Sequence, residues 1–244
     1  MKDPTATSAS NSLQQARQRD ATIRWLLQEH PVTAAQLVQL GLFPGKNKAL
    51  QRLRRLVRRG QVRLVGTVCR GPGRPEHVYC RWRPGADQML HEVELTELCL
   101  RLDAGTIRRG PAVLDRHVLP DAEVRIGGEV YYLELDRGTM SYAQLARRFR
   151  LYEGCPHLSL WVCSTVERMD GLRERAGTIE QTALFTTRAE ALAGPHGAIW
   201  RDRTGMVAAL PRENCSPVRP GPETDGELLP DTRDLPSPRA EIAA

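Results

Sequence analysis

Apolar positions recur along this chain at two different spacings, and the change between them divides it. Residues 14–28 place Ile23, Leu26 and Leu27 on one face of a predicted helix, and Thr33 is positioned to cap a second, over residues 34–40, that stops at Gly41. A third predicted helix, residues 46–59, lines up Ala49, Leu50, Leu53, Leu56 and Val57 opposite Lys48, Gln51, Arg52, Arg55, Arg58 and Arg59, and Gly60 ends it. Two strand-like runs follow, residues 62–69 and 77–82, joined by a tip rich in glycine and proline. Three helices followed by a hairpin is the order of a winged helix-turn-helix, here expected over residues 13–84.

Beyond Pro84-Gly85-Ala86 the pattern alternates. Helices are predicted at 88–102, 141–152 and 166–176, and strands at 122–126, 130–136, 158–163, 183–186 and 198–201. Gly127-Gly128 supplies the tight turn between the first two strands. The run Leu158-Ser159-Leu160-Trp161-Val162-Cys163 is that of a strand buried on both faces. The expected fold is α/β (α+β), with a mixed-sheet domain over residues 85–210. The polar residues 1–12 are expected to be a disordered arm. Residues 211–244, with prolines throughout and few large apolar groups, are expected to be a disordered tail.

Charge sharpens the first part. The chain carries 35 Lys+Arg against 29 Asp+Glu, a net charge of +6, and its only lysines are Lys2, Lys46 and Lys48. A GC-rich genome produces such an arginine bias, but arginine is also the planar donor suited to phosphate and guanine. Between Lys46 and Arg83 the cations are opposed by a single acid, Glu76. A solvated helix face mixes its signs, whereas a face that meets duplex DNA does not. The expected DNA contacts are Lys46, Lys48, Gln51, Arg52, Arg55, Arg58 and Arg59 on the helix, with Arg70 and Arg74 on the hairpin. The hairpin is also a candidate surface for forming a homodimer.

Six cysteines without a CxxC pair argue against a zinc ribbon or a disulfide framework. There is no long apolar run, no apolar leader and no GxGxxG or P-loop motif, so a cytoplasmic protein without membrane or nucleotide-fold signatures is expected.

The second part holds the candidate chemistry. Asp121 begins one predicted strand, and Glu134 and Asp136, two apart on the next, share a face. Three carboxylates meeting at one point would repel one another unless a divalent cation neutralised them, and Mg²⁺ is the natural candidate. The competing expectation is that Pro120-Asp121 is a turn and that Glu134 and Asp136 pair with Arg137, Arg147 or Arg148.

His91 with Glu94, Pro120-Asp121-Ala122, the string Leu133-Glu134-Leu135-Asp136-Arg137-Gly138-Thr139, and Tyr152 together resemble the replication-relaxation family of bacterial plasmids and mobile elements. That resemblance spans about residues 14–200. It implies a winged helix joined to a PD-(D/E)xK nuclease-like domain and a DNA-associated role in replication or transfer, with proteins of those processes as further partners. It also implies Asp121 and Glu134 as metal ligands, Asp136 completing the shell or orienting water, and Glu94 reaching in. Where family members carry a lysine on the following helix, this chain has Arg148, which can stabilise charge but cannot act as a base. Thr139 and Tyr142 are expected to cap and pack that helix. Three functions follow as expectations: a DNA-binding protein whose nuclease-like domain lacks full activity, an active Mg²⁺-dependent endonuclease, or an interaction module attached to a DNA-binding domain.

Overall fold

The computed structural model describes residues 4–70, 73–102, 107–109, 119–176 and 183–211. The proline-rich segment expected as a tail lies outside these residues beyond Pro211.

Helix α1 runs Pro4–Glu29. The backbone of residues 4–12, expected as a disordered arm, is therefore helical, with a proline in the first turn where its missing N–H costs nothing. Strand β1 (Val32–Thr33) leads into α2 (Ala34–Gln39) and then α3 (Lys46–Arg58). The hairpin β2 (Arg63–Val68) and β3 (Glu76–Cys80) completes a three-stranded antiparallel sheet in the order β1-β3-β2. Ile23, Leu26, Leu27, Leu37, Leu53 and Leu56 form its core. A buried leucine contributes roughly 1.5–3 kcal/mol, which is what fixes α3 with its apolar stripe inward and its cations outward. Thr33 caps α2 reciprocally with Gln36, accepting from Gln36 N at 3.3 Å while Gln36 Oε1 accepts from Thr33 N at 2.9 Å. Gly41 and Gly60, just past α2 and α3, both sit at φ 68°, the left-handed conformation that ends a helix.

Helix α4 (Met89–Arg101) belongs to both halves. Met89 and Val93 pack on Val65, Val68, Val78 and Cys80 of the hairpin, while Leu95, Leu98, Cys99 and Leu102 enter the core of the second half. Gln36 Nε2 donates to the Val93 carbonyl at 2.9 Å, a further tie between them.

The second half is a seven-stranded mixed sheet in the order β10-β9-β8-β7-β6-β5-β4. Its members are β4 (Ile107–Arg109), β5 (Ala122–Ile126), β6 (Glu129–Asp136), β7 (Leu158–Cys163), β8 (Ala183–Thr187), β9 (Ala198–Arg201) and β10 (Val207–Ala209). The pairs β6·β7 and β7·β8 are parallel and the remainder antiparallel. Between the parallel strands run α5 (Tyr142–Leu151) and α6 (Val166–Ala176), and α7 (Arg188–Ala193) follows β8.

Residues of α4 and α7 join Leu133 and Leu135 in the core on one face. On the other, α5 and α6 cover Tyr132, Trp161 and Phe185. By the two-residue period of the strand, Glu134 and Asp136 project with Tyr132, toward α5 and α6. Among the described residues no helix is long and apolar enough to cross a membrane.

Candidate functional site

Charged groups gather in two places: the basic surface of α3 and the acids at the end of β6. On α3, Lys46, Lys48, Gln51, Arg54, Arg55 and Arg58 are exposed, as is Arg59 at its C-terminal cap, and the helix carries no acid. Arg74 near the hairpin tip is exposed as well.

Two of the expected DNA contacts are placed otherwise. Arg52 is bonded to Asp20 of α1 at 2.8 Å, because α1 packs beside α3. Arg70 is turned back onto Glu76 at 2.6 Å and onto Glu97 of α4 at 3.0 Å, because α4 lies against the hairpin. Both arginines are structural ion-pair partners rather than outward-facing cations. Lys46 Nζ also reaches Glu76, at 3.0 Å, but remains largely exposed. Burial opposes the charge on Glu76, yet Arg70 and Lys46 hold its carboxyl below the ordinary value.

At the end of β6, Asp121 and Glu134 come together and Asp136 does not join them. Asp121 Oδ2 accepts from the Leu135 backbone N–H at 2.9 Å, which fixes the carboxylate beside the strand. Arg148, on α5, reaches Asp121 Oδ1 at 3.2 Å and Glu134 Oε2 at 2.7 Å, and donates to the Leu119 carbonyl at 3.3 Å. Tyr152 donates its hydroxyl to Glu134 Oε1, and His91 Nε2 lies 3.4 Å from Asp121 Oδ2. Burial disfavours charge on Asp121, but His91, Arg148 and the Leu135 N–H hold its carboxyl well below the usual range. Burial and the neighbouring Asp121 push Glu134 the other way, up to about 8, against the pull of Arg148 and Tyr152. The two acids are thus driven apart, Asp121 toward its charged form and Glu134 toward its neutral one, with the Arg148 guanidinium shared between them.

Asp136 sits two residues further on and belongs to a different ion pair. Arg168 of α6 donates Nε to its Oδ2 at 2.5 Å, and the Gly138 N–H donates to Oδ1 at 3.0 Å. Arg168 also bonds the Met140 carbonyl. The expected three-carboxylate cluster is thus divided, and among the described residues no group of three or more metal-ligating side chains is assembled. The arrangement does not fit a divalent cation either, since the space such an ion would take between Asp121 and Glu134 holds the Arg148 guanidinium.

Other expectations are also redistributed. Glu94 pairs with Arg137 at 2.9 Å and with Arg188 at 3.5 Å rather than reaching toward Asp121. Ser141, not Thr139, caps α5, in a reciprocal box with Gln144. Tyr142 packs as expected, with the Arg168 and Arg175 guanidinium groups 4.5 and 4.0 Å from its ring centre.

Of the basic candidates for the acids, Arg148 takes Asp121 and Glu134, whereas Arg168 was not anticipated. The strand register accounts for it. Parallel pairing sets Asp136 opposite Cys163, so the first turn of the helix after β7 must lie beside the end of β6.

No protein-family model, curated protein or solved structure matched the chain in the comparisons made.

Proposed function

We propose that this protein binds double-stranded DNA through α3 and the adjoining hairpin, acting in plasmid or mobile-element replication or transfer, with a nuclease-like second half that does not cleave. The observation that carries the reading is the surface of α3: exposed arginines and lysines without an acid, on a helix whose other side is fixed by buried leucines. A helix so held can lie in a major groove, with cations reaching phosphates and base edges. The order helix, short strand, two helices and hairpin supports a winged helix, in which Arg74 on the wing contacts flanking phosphates.

The second half supports the non-cleaving reading through Arg148. A PD-(D/E)xK site needs its acids for a cation and a lysine near the scissile phosphate. Here an arginine fills the space between the acids and no lysine is present in this half of the chain. The endonuclease reading retains one favourable observation, the meeting of Asp121 with Glu134, and it is tested directly. Supercoiled DNA incubated with the protein and Mg²⁺ is expected to remain uncut. Nicking that disappears in Glu134→Ala would replace our reading with a metal-dependent endonuclease. Duplex binding is checked by fluorescence anisotropy. Arg55→Ala with Arg59→Ala is expected to weaken it by about tenfold or more, and unchanged affinity would remove α3 from the interface.

A further inference from the structure

A second site lies where the parallel strands β6 and β7 end. A cleft of about 350 Å³ opens there, walled by Leu135, Ala189 and Leu192 and edged by Arg137, Ser164, Arg188 and the carboxylate of Glu94. Ligands settle outside the carboxyl ends of strands in open α/β sheets, and this volume lies at the lower end of small-molecule sites, roughly 300–1,000 Å³.

The two arginines are partly exposed, with side chains 27% and 29% accessible, and both are held by Glu94 at the rim of the cleft. Arg137 Nε bonds Glu94 at 2.9 Å, and Arg188 reaches Glu94 at 3.5 Å and Glu97 at 3.3 Å. Glu97 in turn holds Arg70, which shares Glu76 with Lys46. Cations and anions alternate along this chain of contacts and a cation stands at each end, so positive charge exceeds negative by one. The end inside the cleft is Arg137. Asp136, which also borders the cleft, adds no net negative charge because Arg168 neutralises it.

Arg188 Nε is buried without a hydrogen-bond partner among the described residues, and the Ser164 side chain is exposed. Fixed guanidinium forks are donors arranged in advance for phosphate oxygens, and the apolar wall offers a surface to a base or sugar.

We infer that this cleft binds a nucleoside 5′-phosphate, free or as the phosphorylated end of a DNA strand, with Arg137 and Arg188 gripping the phosphate and Ser164 donating to it. The inference does not depend on α3.

Calorimetry on the full chain with thymidine 5′-monophosphate, thymidine and inorganic phosphate tests it. The nucleotide is expected to bind, and thymidine at least about tenfold more weakly. Arg137→Ala and Arg188→Ala should each weaken the nucleotide by about tenfold or more. Each leaves Glu94 one arginine, so no carboxylate is orphaned, and an unaltered circular dichroism spectrum with a retained melting transition verifies the fold. Arg55→Ala with Arg59→Ala should leave nucleotide affinity unchanged, which separates this site from the DNA face. A duplex with a 5′-phosphate that binds more tightly than its 5′-hydroxyl counterpart, with the gain lost in Arg137→Ala, assigns the ligand to a DNA end. Nucleotide binding without that gain assigns it to the free nucleotide. Thymidine binding as tightly as its phosphate, no nucleotide binding, or wild-type affinity in both arginine variants would overturn the proposal.

Discussion

Replacing Arg148 by alanine would strip two buried acids of the cation they share. Asp121 is 7% exposed and Glu134 2%, and the guanidinium meets them at 3.2 and 2.7 Å. Removing one partner of a buried ion pair costs about 3–5 kcal/mol, because the charge left behind has lost its solvent and its counter-ion. Glu134 can relieve its share by keeping a proton, and His91 lies near Asp121, so the lower end applies, about 3 kcal/mol at neutral pH. For a chain of this size that is a fall in melting temperature of roughly 6–12 °C. Arg148→Lys keeps the charge but loses the fork that spans both carboxylates and the Leu119 carbonyl, so an intermediate loss is expected. Urea unfolding at neutral pH measures all three proteins. A loss below about 1 kcal/mol in Arg148→Ala, the value of a solvated surface pair, would refute the claim that this guanidinium holds the site together.

The same geometry makes further outcomes testable. With its acids released, Arg148→Ala should be stabilised by Mg²⁺ in thermal melts while the wild type is not, and equal responses would contradict the placing of Arg148 where a cation would sit. Glu134 holds its proton in the folded state up to about 8, against an ordinary value of 4.5. Its contribution to stability is therefore full below about 4.5 and is lost as pH rises toward 8, the reverse of Asp121, whose contribution is lost on acidification. Glu134→Gln should accordingly gain stability relative to wild type as pH rises from 5 to 8, and parallel curves in urea unfolding would show that the acid is not protonated in the fold. A fragment ending at residue 83 lacks Met89 and Val93, which cover Val65, Val68 and Val78, so it should be less stable than one ending at residue 102 by roughly 3–6 kcal/mol. Equal urea midpoints would show that α4 does not support the hairpin.

Much of the scaffold could be read from periodicity, because burial decides it. Strands β5, β7 and β9 and helix α6 begin and end where the pattern places them, as do the glycine stops after α2 and α3. What escaped had weak apolar signals: β1 has two residues, β4 and β10 three each, and α7 six. Even α7 carried a trace in Thr187-Arg188-Ala189-Glu190, the spacing of the reciprocal cap that the fold forms. The helical start of α1 was missed because its small polar residues show no stripe. The site was less legible. Alternation along β6 correctly set Glu134 and Asp136 on one face, but which cation each acid meets depends on how α5 and α6 lie against the sheet. Arg148 and Arg168 therefore divide a cluster that spacing alone had joined. Likewise, charge counting along residues 46–83 located the basic surface but not the turning inward of Arg52 and Arg70, which depends on Asp20 and Glu97 from other helices.

The most direct test of DNA binding through α3 is the salt dependence of duplex affinity for the wild type and for Arg55→Ala with Arg59→Ala. If about five phosphates are neutralised, the slope of log K against log salt is expected near roughly −4 to −5, and losing two of those contacts should reduce its magnitude by about 2. A slope near zero, or the same slope in both proteins, would contradict the account.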